Sequence, residues 1–327
     1  MWVVQINRDE AGRGVTLNRV LQIGPLPPSL ERDMREHYDV VQLNDVPDGH
    51  LDEHGAGFTA AVANSRIGVD RALMERLPSL RVIVNFGVGY DAIDVEAAKE
   101  RGIAVANTPD VLNDCVADTA VGGLIDVMRR LSAADRFVRR GDWARGPFPL
   151  ATKVSGKKIG ILGLGRIGRA VARRLEGFGV EIAYHSRSRV DGVPYERMDS
   201  PEKLAAWCDA LIVATSGGAG TRGLVSAAVL EALGPDGYLV NISRGSVVDE
   251  PALVAALTGG RIAGAALDVF AHEPDVPAEL LTLDSVVLLP HIGSATHETR
   301  RAMSDLAFRN LRTFLEQGTL ITPVPEI

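Results

Sequence analysis

From Arg19 onward the chain alternates between two patterns. Short runs of β-branched and small apolar residues, RVLQIG, YDVVQL, FTAAVANS, LRVIVNFG and GIAVANT, fill positions 19 to 108. Between them lie loops or stretches of helical period such as DRALMERL. Runs of the first kind predict strands, and strands alternating with helices predict parallel βαβ units. From Val111 to Arg140 a long stretch places Val116, Ala120, Leu124, Val127 and Leu131 on one helix face. Gly122 and Gly123 weaken that helix, so close packing is the expected reason for them. A second alternating series follows: KKIGILG, EIAYHS, ALIVATS, GYLVNIS, IAGAALDV and SVVLLPHIG. Six such strands are the count of a dinucleotide-binding sheet. After Thr296 one long helical pattern, ATHETRRAMSDLAFRNLRTFLEQG, leads to a proline-containing end. The prediction is an α/β protein of two doubly wound parallel-sheet domains. One spans residues 1–108 and regains the last helix, 297–327; the other spans 109–296.

Size agrees with this division, since 327 residues exceed one ordinary core. A composition 46% hydrophobic and 24% charged is that of a globular protein. The formal net charge of −7 argues against a nucleic-acid partner, which needs a basic surface, but leaves room for a small anionic substrate held by one local cation. The two cysteines, Cys115 and Cys208, lie far apart, so neither a disulfide framework nor a metal site is expected, and a reducing cytoplasm fits. The start, MWVVQINRDEAGRG, lacks a basic segment followed by an apolar one, so no secretory signal is expected. No apolar run approaches the ~20 residues needed to cross a bilayer, so no membrane partner is expected.

Chemistry enters at IGILGLGRIGRAVARRL, where Gly163, Gly165 and Gly168 keep GxGxxG spacing between a β-type run and an amphipathic helix. There the first glycine makes the turn, the second admits a pyrophosphate, and the third packs helix on strand, with the helix N-terminus facing the phosphates. Leu164, Arg166 and Ile167 belong to the same cradle. An NAD site ends its second strand with an acid that binds the ribose hydroxyls. Here His185 stands at that place, followed by Ser186, Arg187 and Ser188, groups that can hold a 2′-phosphate. NADPH is therefore expected in preference to NADH. Beyond three later strands stand Arg244 in SRG, Glu273 in ALDVFAHEP and His291 in LLPHIGSAT. Ligands of open α/β sheets bind beyond the carboxyl ends of strands, so these three groups are expected to converge. An arginine can grip a carboxylate through its planar fork, a histidine can give a proton to a ketone oxygen, and a glutamate can orient that histidine. Their shared chemistry is reduction of a 2-keto acid. A serine-hydrolase reading lacks its GxSxG elbow.

Several motifs in register, NFGVGYDAID, VANTPDVLNDCVADTAV, GILGLGRIG, NISRGSVVDE, GAALDVFAHEP and LLPHIGSAT, make the chain resemble the D-2-hydroxyacid dehydrogenases over nearly its whole length. Within that family SRS after the second cofactor strand points to the NADPH-dependent glyoxylate/hydroxypyruvate and hydroxyphenylpyruvate reductases. The resemblance implies a flavodoxin-like substrate domain, a Rossmann cofactor domain, an active-site cleft between them and a homodimer. It implies Arg244, Glu273 and His291 as the catalytic trio, with the amides of Val88 and Gly89 on the substrate carboxylate. Asp268 would meet the nicotinamide, Gly293 and Ser294 would line the same pocket, and Ile242 and Ser243 would border the cofactor. Trp143 would reach into the partner's substrate pocket; the alternative is a loop anchor on its own subunit. Where many relatives carry a Pro-Leu-Thr-Pro segment this chain has TSGGAGTRG, leaving Thr215 as the one assignment on that wall. No regulatory domain is expected after Ile327, unlike the long phosphoglycerate dehydrogenases. Two other readings share the scaffold: a reductase of 2-ketogluconate or of an aryl-pyruvate, and a non-catalytic, cofactor-sensing protein of co-repressor type.

Overall fold

The structure, a computed structural model, describes residues 18–325. The N-terminal segment 1–17, whose first fifteen residues match no part of the family pattern, lies outside the described residues, as do the last two. The chain forms two compact units, Met1–Thr108 with Ser304–Ile327, and Pro109–Met303. The second break falls inside the last helix, His297–Gln317, rather than ahead of it.

The first unit carries β1 (Arg19–Ile23), β2 (Asp39–Gln42), β3 (Phe58–Asn64), β4 (Val82–Phe86) and β5 (Ala104–Ala106). All pair in parallel, in the flavodoxin-like order β2-β1-β3-β4-β5. β4 is buried along its whole length, as a near-continuous apolar run demands in a sheet covered on both faces. Its one polar member, Asn85, donates from Nδ2 to the carbonyls of Gly87 and Gly89 at 3.1 and 2.9 Å and so shapes the loop beyond the strand.

The second unit carries β6 (Lys158–Leu162), β7 (Glu181–His185), β8 (Glu196–Arg197), β9 (Ala210–Val213), β10 (Tyr238–Asn241), β11 (Gly264–Leu267) and β12 (Val286–Leu288). The parallel sheet runs β12-β11-β10-β9-β6-β7-β8. It has seven strands rather than six, because the two-residue, exposed edge strand β8 leaves no mark in the hydrophobic pattern. Strand order reverses between β6 and β9, the switch point at which such sheets bind dinucleotides.

The stretch expected as one helix from Val111 to Arg140 is two, Asn113–Arg129 and Leu131–Arg139. Arg130 sits between them in the left-handed region, φ 54°, and Asp126 accepts from both the amide and the hydroxyl of Ser132 to start the second helix. The two glycines differ in use. A Cβ on Gly123 would stand 3.2 Å from Cβ of Ala266 on β11, a tight approach that the bare backbone relieves. One on Gly122 would meet nothing within 4 Å, and packing does not account for it.

Candidate active site

Arg244, Glu273 and His291 lie beyond β10, β11 and β12, three neighbouring strands of one parallel sheet. Their loops therefore leave the same sheet edge side by side. Each loop is tied to the next. Buried Asn241, the last residue of β10, accepts from the Ser243 amide and hydroxyl and donates to the Arg244 carbonyl at 3.1 Å, fixing the turn that presents Arg244. Arg244 Nη1 donates to the Ser243 carbonyl at 2.8 Å. Next comes Gly245, where a Cβ would stand 1.9 Å from the carbonyl carbon of Phe270. Only glycine lets the β10 loop lie this close to the β11 loop.

Phe270 in turn donates its amide to Glu273 Oε1 at 3.2 Å, while Glu273 Oε2 lies 2.7 Å from His291 Nδ1. Both members of that pair are about three-quarters buried. His291 adopts φ 56°, a left-handed backbone that non-glycine residues enter at some cost, commonly where a site needs it. The following turn is held from β11: buried Asp268 accepts from the amides of Ile292 and Gly293 at 2.7 and 2.8 Å. Burial pushes the Asp268 carboxyl above its ordinary range, against the opposing pull of those two N–H groups. A Cβ on Gly293 would come within 2.9 Å of Asp268 Oδ2, so glycine is needed there too.

At the switch point the three motif glycines have three different reasons. Gly163, φ 99°, turns the chain where a Cβ would strike the Thr215 backbone at 2.6 Å. A Cβ on Gly168 would stand 2.1 Å from the Gly163 carbonyl oxygen. Gly165 faces open space, with nothing within 4 Å of where its Cβ would be. The helix Arg166–Glu176 starts there with no side-chain cap, so its first amides point outward without a side-chain acceptor. That combination fits a dinucleotide pyrophosphate. The Arg166 guanidinium, largely exposed, pairs through Nε with Asp110 at 3.0 Å.

Ser186 ties the loop after β7 to the glycine turn: its hydroxyl accepts from the Leu164 amide at 2.9 Å. Arg187 and Ser188 are exposed just beyond it. Among the other assigned residues, Ser243 turns its hydroxyl inward to Asn241, and Asp268 commits both oxygens to the β12 loop. Ile242 is buried, while Thr215 and Ser294 are half-buried. Val88 and Gly89 follow β4 in the first unit, where Asn107 donates to the Val88 carbonyl at 2.8 Å. Trp143, in the short 3-10 turn Asp142–Ala144, is 68% exposed. Sequence reasoning overlooked Gly245, and also Glu250, whose carboxylate accepts from the Ala271 amide at 2.9 Å and holds the β11 loop. The string SRGSVVDE contained both, but a close approach of two backbones leaves no signal in either segment alone.

A glycine cradle at a parallel-sheet switch point, with a histidine–glutamate pair beyond two neighbouring strands, defines a nicotinamide-dependent dehydrogenase. Residues 121–293 match the family model of the D-isomer specific 2-hydroxyacid dehydrogenase NAD-binding domain. The chain is 45% identical to glyoxylate/hydroxypyruvate reductase A of Arabidopsis thaliana and 44% identical to hydroxyphenylpyruvate reductase of Plectranthus scutellarioides, in each case over 93% of this chain and 98% of the relative. Among solved structures it is similar to an NADPH-dependent glyoxylate/hydroxypyruvate reductase of Sinorhizobium meliloti, crystallised with NADP and malonate. The TM-score is 0.90 at 44% identity, covering 94% of this chain and 97% of that one. The chain belongs to the D-isomer specific 2-hydroxyacid dehydrogenases. Among its described residues no helix is long and apolar enough to cross a membrane, and no group of acidic, histidine or cysteine side chains could hold a metal ion.

Proposed function

We propose that this protein reduces a small 2-keto acid of the glyoxylate/hydroxypyruvate type to the D-2-hydroxy acid, with NADPH as the preferred reductant. The observation that carries the reading is the 2.7 Å contact of His291 Nδ1 with Glu273 Oε2, on the sheet that also bears the phosphate cradle. The carboxylate can only accept, so Nδ1 donates, and Nε2 is the nitrogen left to serve a substrate. A bound reduced nicotinamide supplies hydride to the keto carbon. Arg244 grips the substrate carboxylate through its fork. His291 passes a proton from Nε2 to the ketone oxygen, and Glu273 keeps the ring aimed while it does so. Asp268 keeps the turn after His291 in place by its two amide bonds. Gly165, Arg166, Ile167 and Gly168 hold the pyrophosphate through backbone amides, while Gly163 and Leu164 shape the turn, their own amides being given to the His185 carbonyl and the Ser186 hydroxyl.

The NADPH preference is supported by the lack of an acid at the end of β7 and by exposed Arg187 beside Ser186 and Ser188. A homodimer is supported by apolar side chains left exposed between 131 and 150, Trp143 among them and Leu150 at 99%. A cytoplasmic setting is supported by two unpaired cysteines. Consumption of NADPH followed by absorbance, across glyoxylate, hydroxypyruvate, hydroxyphenylpyruvate and 2-ketogluconate, tests the reading. Turnover is expected to be fastest with glyoxylate or hydroxypyruvate. A faster rate with one of the larger acids would move the substrate class, and no turnover with any would refute an enzymatic role.

A further inference from the structure

The loop after β7 is built more firmly than a surface turn needs. At its start, the Ser186 hydroxyl accepts from Leu164 at 2.9 Å. At its end, Val190 donates its amide to the hydroxyl of buried Tyr184 at 3.0 Å. The segment beside it is pinned as well: Met198 donates its amide to the Tyr184 carbonyl at 2.7 Å and accepts from His185 Nδ1 at 2.8 Å. From this segment comes Arg197 on β8. Its Nε and Nη2 donate to the Ser186 carbonyl at 3.3 and 3.1 Å, and Nη2 also donates to the Arg187 carbonyl at 3.3 Å.

These bonds have a geometric consequence. Across a trans peptide the carbonyl and the next amide point in opposite directions. With the carbonyls of Ser186 and Arg187 turned onto Arg197, the amides of Arg187 and Ser188 point away from it, two in succession, as in backbone arrangements that bind anions. Charge agrees. Arg187, Arg189 and Arg197 form no ion pair among the described residues. Asp199, whose carboxyl is held below its ordinary range, gives its hydrogen bond to Lys203 at 2.7 Å and acts on Arg197 and His185 only through its field. Three arginines outside any ion pair, beside a loop with two successive amides turned one way, suit a phosphate dianion.

We propose that Arg197 is a positioning residue for the 2′-phosphate of NADP. It sets the Ser186–Arg187 backbone so that the two amides and the Arg187 side chain meet the phosphate, and thereby sets the choice between NADP and NAD. The inference rests on the NADPH preference proposed above. Calorimetric binding of NADP, NAD and adenosine 2′,5′-bisphosphate to the wild type and to R197A, R197K, R187A and R187A/R197A tests it without turnover. The wild type decides the underlying reading first: equal affinity for NADP and NAD removes the preference and Arg197's role with it. Given a preference, R197A is expected to lose about tenfold in affinity for NADP and the bisphosphate while NAD affinity changes less than about twofold, the scale of a partly exposed charge-assisted network. R197K keeps the charge but not the fork and is expected to stay nearer R197A than wild type. The double variant is expected to lose less than the two single losses combined, because Arg197 acts in part through the side chain of Arg187. Undiminished discrimination in R197A, full recovery in R197K, or additive losses in the double variant would each overturn the proposal. The side chain is exposed, so R197A is expected to melt with the wild type.

Discussion

Replacing Gly245 by alanine is the sharpest test of how the His291–Glu273 pair is held. The added Cβ would stand 1.9 Å from the Phe270 carbonyl carbon and 2.3 Å from the Ala271 amide, where ordinary contact begins at 3.4 Å. Both obstacles are backbone, so no side chain can swing aside, and the two loops must part by about 1.5 Å. Phe270 is also the residue whose amide holds Glu273 Oε1, so its displacement is carried to the carboxylate that meets His291 at 2.7 Å. Even two-thirds of that movement would take the contact beyond hydrogen-bond range. A misplacement near 1 Å in a catalytic constellation costs on the order of 10²-fold in rate. Overpacking costs about 1–3 kcal/mol in stability, which lowers Tm by roughly 2–4 °C per kcal/mol in a unit of this size. The assay is steady-state keto-acid reduction at saturating NADPH, with a thermal melt and an NADPH titration alongside. Expected are a kcat about 10²-fold down, a Tm a few degrees lower and a nearly unchanged cofactor affinity, because the cradle lies beyond β6. A G245A enzyme with wild-type kcat would refute the linkage, as would a loss matched by loss of folded protein.

Other perturbations separate the roles. R244A is expected to raise KM for the keto acid and lower kcat, with kcat/KM down by about 10²–10³-fold and NADPH affinity unchanged; R244K should recover only part, lacking the planar fork. A loss of NADPH affinity with unchanged keto-acid KM would instead put Arg244 in the cofactor site. H291A should lose kcat while substrate binding largely survives, and E273Q should retain more activity than E273A, since an amide oxygen still accepts from Nδ1. Cys208 is buried against Gly160, and desolvation pushes its thiol up to about 12 from 9.0. A raised folded-state value adds stability that is fully present below pH 9 and is lost as pH climbs from 9 toward 12, so by pH 10 wild type should lose roughly 1 kcal/mol more than C208A relative to pH 8. Denaturant titrations at the two pH values with parallel curves for the two proteins would contradict this. Sedimentation at micromolar concentration should show a species of twice the 34.9 kDa chain, and a W143A variant should alter KM across keto acids if that side chain borders a partner's pocket.

Which parts of this fold were legible follows from the range of each signal. Strands β1 to β7 and β9 to β12 are short runs with apolar centres, most of them buried, and each announces itself locally. β8 could not, since Glu196 and Arg197 are polar, exposed and only two. The break at Arg130 was hidden because apolar spacing continues across it. What ends the first helix is one left-handed residue and the Asp126 carboxylate capping Ser132, and neither disturbs the period. The adjacent glycines 122 and 123 look alike in sequence, yet only the second faces Ala266, a neighbour more than a hundred positions away.

The same distinction governs the site. Arg244, Glu273 and His291 could be placed from sequence because the sheet grows outward from its switch point in chain order, β9, β10, β11, β12, so order along the chain becomes order in space. The other half grows the opposite way, from β6 to β7 to β8, and carries the basic loop. One reversal of strand order therefore sorts the chemistry. Groups suited to a keto acid stand beyond the strands on one side, groups suited to an adenosine phosphate on the other, and the glycine turn lies between them. What sequence could not supply is the lateral bracing: Gly245 against Phe270, Asp268 to the amides after His291, Arg197 to the carbonyls after β7. Each brace joins two neighbouring loops through a backbone group, and a backbone group has no letter of its own. Side chains standing just beyond strand ends can thus be placed from the order of the chain, while the braces between neighbouring loops emerge only when those strand ends are seen together.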